Sequence, residues 1–329
     1  MRIEYHPSGI YLPDSNLWMD SREPVEVNWI SHAHSDHARG GHQRTYSSVK
    51  TLRFLQLRDA EAQNAPQNAT VLADREWFDL GNGTRIQPVP CAHIIGARQL
   101  LVESGGERLC YTGDIKLKAS LLGSATEIVP CDHLIIESTF GLPIYSFLSA
   151  QEAASRIVDF AAKCLRKQEI PVFLGYGLGR GQEIVHVLTN AGIPVAVHGA
   201  IGKLIPAHEV SGYAFPGWEP YNPNKLSGKA LVVVPGFKEV LEGLDIAIRI
   251  AYVSGWAMLD HSRARTGAEE LIPYSDHGDF SELLEIVDRS GAKKVDVVHG
   301  YTEPFANILR QKGIDARAAR VESFAEEDT

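Results

Sequence analysis

Cysteine is scarce in this chain. Cys91, Cys110, Cys131 and Cys164 are the only four, and no two of them are spaced as C-x-x-C. They read as reduced, mostly buried thiols, which leaves no disulfide framework and suits a cytoplasmic protein. Positive charge is also in deficit: 41 acidic residues against 32 Lys and Arg give a formal net charge of -9. A generic polyanion binder with a basic coat is thereby excluded, and any nucleic-acid contact must come from a local patch. Bound metal ions would add local positive charge that this count omits. No apolar run approaches the length needed to cross a bilayer, and Met1-Arg2-Ile3-Glu4-Tyr5-His6 has no apolar signal core, so no membrane association is expected. Internal repeats, heptad arrays and low-complexity tracts are missing. What remains is 329 residues, 44% of them hydrophobic, enough for one large domain or two.

Against that ordinary background stands Ser31-His32-Ala33-His34-Ser35-Asp36-His37, which reads H-x-H-x-D-H. His and Asp are costly to bury without partners, so three imidazoles and a carboxylate this close together are poorly explained as packing. Val25 to Ile30 reads as a strand and Ala38-Arg39-Gly40-Gly41 as a turn or a first helical turn. The cluster therefore sits on a loop just past a strand end, with the donor types of a first-row metal pair. The alternative is a polar loop of solvated histidines.

Polar groups recur after later strands. Asp20 ends the strand Leu17-Trp18-Met19, where it either orients a ligand histidine or caps a turn. Thr51 to Ala62 suits a helix. His93 follows the strand Ile86 to Val89, within Cys91-Ala92-His93-Ile94-Ile95-Gly96-Ala97, and is either a metal ligand or a structural histidine. Leu100 to Glu103 is another strand. Asp114 follows Arg108 to Thr112, where a carboxylate can bridge two metals. Glu137 closes His133 to Ile136. Such repetition places these groups on one edge of a sheet.

The middle of the chain changes character. A helix over Ala150 to Arg166, a strand at Pro171 to Leu174, the Gly-rich turn Gly175 to Glu183 opening a helix, and further segments through Ile248 to Val253 predict a small α/β unit with a parallel sheet. The Gly-rich turn is neither a P-loop nor a dinucleotide fingerprint. Connections near Gly141-Leu142-Pro143 and Arg265-Thr266-Gly267 mark the unit's boundaries, giving segments 1–141, 142–266 and 267–329. Beyond it come His277, before an amphipathic helix from Phe280 to Val287, and His299, at the end of the strand Val295 to Val298. Thr302 to Gln311 is a closing helix. Of the remaining histidines, His42 stands closest to the metal loop and is the one most open to a role there.

In sum these motifs resemble the metallo-β-lactamase superfamily and, within it, the β-CASP nucleases, over nearly the whole chain. Asp20 is similar to the acidic residue of the first motif, His32, His34, Asp36 and His37 to the second, His93 to the third and Asp114 to the fourth. Glu137 resembles the acidic motif that opens the β-CASP insert. Leu178 to Glu183 resembles a helix start inside the insert and Val253-Ser254-Gly255-Trp256 its last strand. His277 and His299 match the two histidine motifs that follow. Ile272 to His277 looks like the DNA branch, whereas a histidine at the last motif is what the RNA branch carries. The short chain is most similar to the bacterial ligase-associated DNA exonucleases.

The resemblance implies an αββα four-layer sandwich carrying an inserted α/β domain, and two divalent ions, Zn²⁺ or alternatively Mn²⁺. One ion would take His32, His34 and His93; the other Asp36, His37 and His299; Asp114 would bridge. Asp36 and Asp20 would stand with the catalytic groups, His277 would be the general acid and Glu137 its partner. A groove between two lobes would bind single-stranded DNA, with RNA as the alternative. Arg180, Lys238, Ser254 and Gly255 are candidates for phosphate contacts, and a DNA ligase or helicase is a partner the family suggests.

Overall fold

Alternating burial builds the first sheet. In β3 (Leu17–Met19), Leu17 and Met19 are fully buried while Trp18 faces outward, the period of two that one covered sheet face demands. β2 (Gly9–Leu12) reaches it through the turn Pro13–Ser15, which Asn16 closes at φ 51 by donating its N–H to the Pro13 carbonyl. The computed structural model describes residues 1–58, 68–237, 241 and 247–321. The chain divides into two units. The first comprises Met1–Ala119, Gly123–Pro143 and the segment from His277; the second comprises Ser120–Leu122 and Ile144–Asp276.

In the first unit, β1 (Glu4–His6), β2 and β3 pair antiparallel. The sheet continues in parallel through β4 (Val27–Trp29), β5 (Arg44–Ser47) and β6 (Ala69–Val71). Helix α1 (Val49–Arg58) lies between the last two strands in sequence. Of the expected helix over Thr51 to Ala62, the part at 59–62 lies outside the described residues. A second sheet begins with β7 (Phe78–Gly81), β8 (Thr84–Pro90), β9 (Arg98–Ser104) and β10 (Glu107–Tyr111), all antiparallel, and adds β11 (His133–Ser138) in parallel.

The second unit holds α2 (Ala150–Arg166), β12 (Ile170–Leu174), α3 (Arg180–Asn190), β13 (Val195–Val197), β14 (Trp218–Pro220), β15 (Ala230–Val233), β16 (Ile248–Val253) and β17 (Glu270–Ile272). Its strands run in the order β14-β13-β15-β12-β16-β17, every pairing parallel. β12 is buried along its whole length, as a parallel strand covered on both faces must be. α2 begins at a reciprocal cap: the Ser149 hydroxyl accepts from the Glu152 N–H, and the Glu152 carboxylate accepts from the Ser149 N–H. It buries Ala153, Ile157, Ala161 and Cys164, one helical stripe. Because β17 pairs with β16, residues 267–276 fall with this unit rather than with the closing segment expected from sequence. Of the expected segment Pro235 to Leu244, Pro235–Phe237 is a 3-10 turn, Leu241 is buried, and 238–240 and 242–244 lie outside the described residues.

The chain then returns to the first unit, where β18 (Lys294–Gly300) and β19 (Asp315–Ala318) extend the second sheet in parallel beside β11. One apolar core joins the two sheets of this unit. Leu17, Met19, Val27 and Trp29 from the first share it with Leu100, Val102, Leu109, Ile135 and Val298 from the second. A side chain of this kind, fully buried, stabilises the fold by roughly 1.5–3 kcal/mol, so the facing sheets hold their strand ends firmly. A polar link joins the same sheets. Asp296 of β18 accepts from the Tyr5 hydroxyl of β1, from His133 Nε2 of β11 at 2.9 Å and from both Arg317 Nε and Nη2 of β19.

Candidate metal centre and its proton-donor pair

The H-x-H-x-D-H loop leaves β4 at Ile30, whose N–H donates to the Tyr46 carbonyl of the neighbouring strand. Two further contacts fix the loop. The Ser31 carbonyl accepts from the Arg98 N–H at 3.0 Å. Arg58, at the end of α1, donates Nη1 to the Ala33 carbonyl at 2.5 Å and Nη2 to the Ala38 carbonyl at 3.0 Å. His32, His34 and His37 are all buried.

His93 arrives from the loop after β8. That loop is pinned to the start of α1, because the Gly96 carbonyl accepts from the hydroxyls of Ser48 and Thr51 at 2.7 and 2.9 Å. Gly96 has φ +97, and a Cβ there would stand 2.8 Å from the Thr51 nitrogen, so only glycine fits. Asp114 follows β10.

These residues converge. His32, His34, His93 and Asp114 each offer a ligand atom, all within 4.8 Å of one another. Asp114 Oδ2 lies 3.4 Å from His32 Nε2, 3.4 Å from His37 Nε2 and 3.7 Å from His93 Nε2. Donors about 2.0–2.2 Å from a zinc ion stand roughly 3.3–3.6 Å apart at tetrahedral angles, so this spacing fits a shared ligand set. On the other side of Asp114, His37 Nε2 lies 3.5 Å from Asp36 Oδ2, and the His299 ring centroid is 5.2 Å from that of His37.

The electrostatics fit cations. His32 Nε2 is buried with no hydrogen-bond partner. Burial, followed by His37, His93 and His34, holds the His32 imidazole well below its ordinary pKa, so it is neutral and its lone pair is available. Burial and then His37 likewise bring His299 down to about 4. For Asp36, burial works upward, but His37, His34 and His299 outweigh it and keep the carboxyl ionised. Asp114 is raised, by burial above all. His37 is pushed up to about 10 against its burial, by Asp114, Asp36 and Asp20. A cation bound among these groups would take the place of the proton they otherwise share.

Asp20 gathers hydrogen bonds from the loop and from Tyr111. Its backbone sits at φ 51, and its carboxylate accepts from four donors: the Ser31 N–H at 2.7 Å, the Ser31 hydroxyl at 2.5 Å, His37 Nδ1 at 2.8 Å and the Tyr111 hydroxyl at 2.8 Å. A carboxylate held by these donors is suited to orienting the His37 imidazole.

His299 is aimed by a bulge. In the β11–β18 ladder Glu137 pairs with Val298 but Ser138 pairs with Gly300, leaving His299 as the extra residue. It adopts φ 54, and Gly300 follows at φ +67. The Ser138 hydroxyl donates to the His299 carbonyl at 2.5 Å.

Glu137, fully buried at the end of β11, accepts from His277 Nδ1 at 2.8 Å, from the Ile115 N–H at 3.1 Å and from the Thr139 N–H at 2.8 Å. Burial pushes its carboxyl up; the charge and hydrogen bond of His277 outweigh this and hold it at about 2. Asp114, Glu137 and His277 each have an oxygen or nitrogen within 4.8 Å of the others. The His277 ring stands 4.8 Å from that of His93.

The residues singled out in the second unit are placed differently. Arg180 is 3% exposed; its guanidinium bonds Glu183 Oε2 and Asp276 Oδ1, both at 2.9 Å, and lies over the Tyr274 ring. It is a buried ion-pair residue, so a phosphate contact would require those pairs to open. The Ser254 hydroxyl accepts from the Trp256 N–H as a cap, and Gly255 is buried. Lys238 lies outside the described residues. His42, the histidine nearest the loop in sequence, links Asn28 and the Val25 N–H and takes no part in the ligand set. Sequence reasoning missed Ser31, Tyr111 and Arg58. Ser31 and Tyr111 adjoin motif residues, but Arg58 carries no local signal.

No protein-family model matches the chain. A "Probable DNA ligase" of Opitutus terrae is 30% identical over 312 residues, 94% of this chain and 30% of that protein. An "RNase J-like protein" of Methanocaldococcus jannaschii is 28% identical over 187 residues, 50% of this chain and 44% of that protein. The chain thus spans less than half the length of either curated relative. Among solved structures, a protein of unknown function from Enterococcus faecalis superposes with a TM-score of 0.60 at 15% identity, covering 90% of this chain and 79% of that one, which is a likeness of fold. With its motifs in register, and with relatives among both ligase-named and RNase J-like proteins, the chain is similar to the β-CASP nucleases of the metallo-β-lactamase superfamily.

Proposed function

We propose that the protein is a metal-dependent phosphodiesterase that removes nucleotides from single-stranded DNA in the 5′-to-3′ direction, in DNA repair. The observation that carries this reading is the Glu137–His277 pair beside Asp114, a proton donor next to a carboxylate of the candidate metal centre. The two facing sheets and their helices would be the αββα sandwich, and residues 144–276 the β-CASP insert.

His32, His34 and His93 would hold one cation and Asp36, His37 and His299 a second, with Asp114 between them. Zn²⁺ suits this mixed N and O set, and Mn²⁺ is the alternative. Cations held there would supply an acidified water and charge withdrawal from the phosphate oxygens. The protein's own groups do the rest. Asp20 fixes the His37 ring, so that Nε2 faces Asp36 and Asp114. His277 gives a proton to the departing sugar oxygen from Nε2, while its Nδ1–H stays on Glu137. Glu137, ionised and held by two backbone N–H groups, keeps that imidazole in place and favours its protonated form.

The ligase-named relative favours DNA, and four buried free cysteines suit a cytoplasmic location. Among the described residues no helix is long and apolar enough to cross a membrane. A DNA ligase or helicase would be a natural partner. Arg180, Ser254, Gly255 and Lys238 remain candidates for phosphate contacts, Arg180 only if its ion pairs open. The RNase J-like relative and the presence of His299 support a second reading, an RNA-processing ribonuclease of the same architecture, endo- or 5′-exonucleolytic. Matched single-stranded DNA and RNA, labelled at either end and supplied with Zn²⁺ or Mn²⁺, decide between them. The proposal expects stepwise release of nucleotides from the DNA 5′ end; preferential mid-strand cleavage of RNA would refute it.

A further inference from the structure

Ser31 has one hydroxyl proton and two neighbours within reach of it. Ser31 Oγ lies 2.5 Å from Asp20 Oδ2 and 2.9 Å from His32 Nδ1. Asp20 is surrounded by donors, from the Ser31 N–H, His37 Nδ1 and Tyr111, and a carboxylate so placed can only accept. The Ser31 proton therefore goes to Asp20, and toward His32 the hydroxyl offers a lone pair. His32 must then carry its proton on Nδ1, which leaves Nε2 bare, buried without a hydrogen-bond partner and 3.4 Å from Asp114 Oδ2. We infer that Ser31 is a positioning residue that sets the His32 tautomer, and that through it the single carboxylate of Asp20 prepares one imidazole of each proposed cation site: His32 by way of the hydroxyl, and His37 directly.

This follows from the hydroxyl's single proton: once that proton is donated in one direction, a second contact can only be accepted. The packing supports a fixed rotamer. Gly113 runs so close that a Cβ on it would stand 2.7 Å from Ser31 Oγ, and Gly113 is held at φ +57 immediately before Asp114. Ser31 is 2% exposed, so water does not compete for the hydroxyl.

The inference rests on the metal-centre reading proposed above, and the experiment separates the two. Wild type, Ser31→Ala and Tyr111→Phe are compared by ¹⁵N-edited NMR of the histidine side chains without metal, and by Zn²⁺ titration against a competing chelator. Tyr111→Phe also removes one hydrogen bond to Asp20 but does not touch His32, so it controls for damage to the carboxylate's surroundings. The expected result is a wild-type His32 protonated at Nδ1, with that preference lost in Ser31→Ala and retained in Tyr111→Phe. Zn²⁺ affinity should fall about 10–100-fold in Ser31→Ala, the usual range for losing a group that orients a ligand, and less in Tyr111→Phe. An unchanged tautomer and affinity in Ser31→Ala, or equal losses in both variants, would overturn the role of Ser31. Failure of the wild type to bind Zn²⁺ would instead overturn the metal-centre reading.

Discussion

Glu137 accepts a 2.8 Å hydrogen bond from His277 Nδ1 across 140 residues of sequence, and no water-facing atom of Glu137 is left. A buried carboxylate bonded in this way fixes its imidazole and stabilises the imidazolium. His277→Ala should therefore lower cleavage by about 10²–10⁴-fold, the usual worth of a positioned general acid, while elemental analysis finds metal content unchanged. Glu137→Gln removes the charge but keeps the shape. Loss of the carboxylate lowers the His277 pKa, so the acid form disappears at a lower pH. The alkaline limb of the pH–rate profile should shift acidward in that variant, and an unmoved limb would detach Glu137 from the proton transfer.

Asp114 stands where the ligand atoms of His32, His37 and His93 meet. Asp114→Ala should lose metal from both proposed sites together, because the same Oδ2 faces both. Mass spectrometry under native conditions reads the stoichiometry directly. Full occupancy would contradict a bridging role.

Gly300 follows the bulge that aims His299. A Cβ there would lie 2.4 Å from the Ser138 oxygen and from Thr139 Cα, both backbone atoms that cannot swing away, and φ is +67. Gly300→Ala should destabilise the fold by at least about 1–3 kcal/mol in urea unfolding. It should also weaken the proposed His299 site more than the His32–His34–His93 site, because the shift falls on the residue next to His299.

The Asp296 link is a stability device. Burial raises this carboxyl, but the hydrogen bonds from His133, Arg317 and Tyr5 outweigh it and depress the folded pKa below the ordinary carboxylate range. A depressed pKa contributes stability that is present above the unfolded value, about 3.9, and is lost as the pH falls through the folded one. Asp296→Asn should therefore cost most at neutral pH, with the gap to wild type narrowing below about pH 4. A gap independent of pH would assign the loss to packing rather than charge.

Histidines and carboxylates able to hold cations lie here in short, chemically dense motifs, which is why His32, His34, Asp36, His37, His93, Asp114 and His299 could be singled out from sequence. What supports them is not local. Arg58 reaches the H-x-H-x-D-H loop from the end of α1, with no local signal in sequence, and Tyr111, though next to the Asp114 motif, reaches Asp20 from another sheet. Arg180 stands in the sequence as a candidate phosphate contact because a sequence shows charge but not burial, and its partners include Asp276, far along the chain. Long periodic elements such as Ala150–Arg166 were legible to the residue. Three-residue strands were legible where alternation beside a turn marked them, as in β3, whereas β1, β6 and β17 carried no such mark.

The central claim is that phosphodiester cleavage depends on cations held by these residues. The most direct test strips the purified protein with a chelator, returns Zn²⁺ or Mn²⁺ stepwise, and measures nucleotide release from labelled single-stranded DNA at each occupancy. The account predicts no cleavage by the stripped protein and recovery that is complete near two equivalents of cation. Undiminished cleavage by the stripped protein, or none by the fully loaded one, would contradict it.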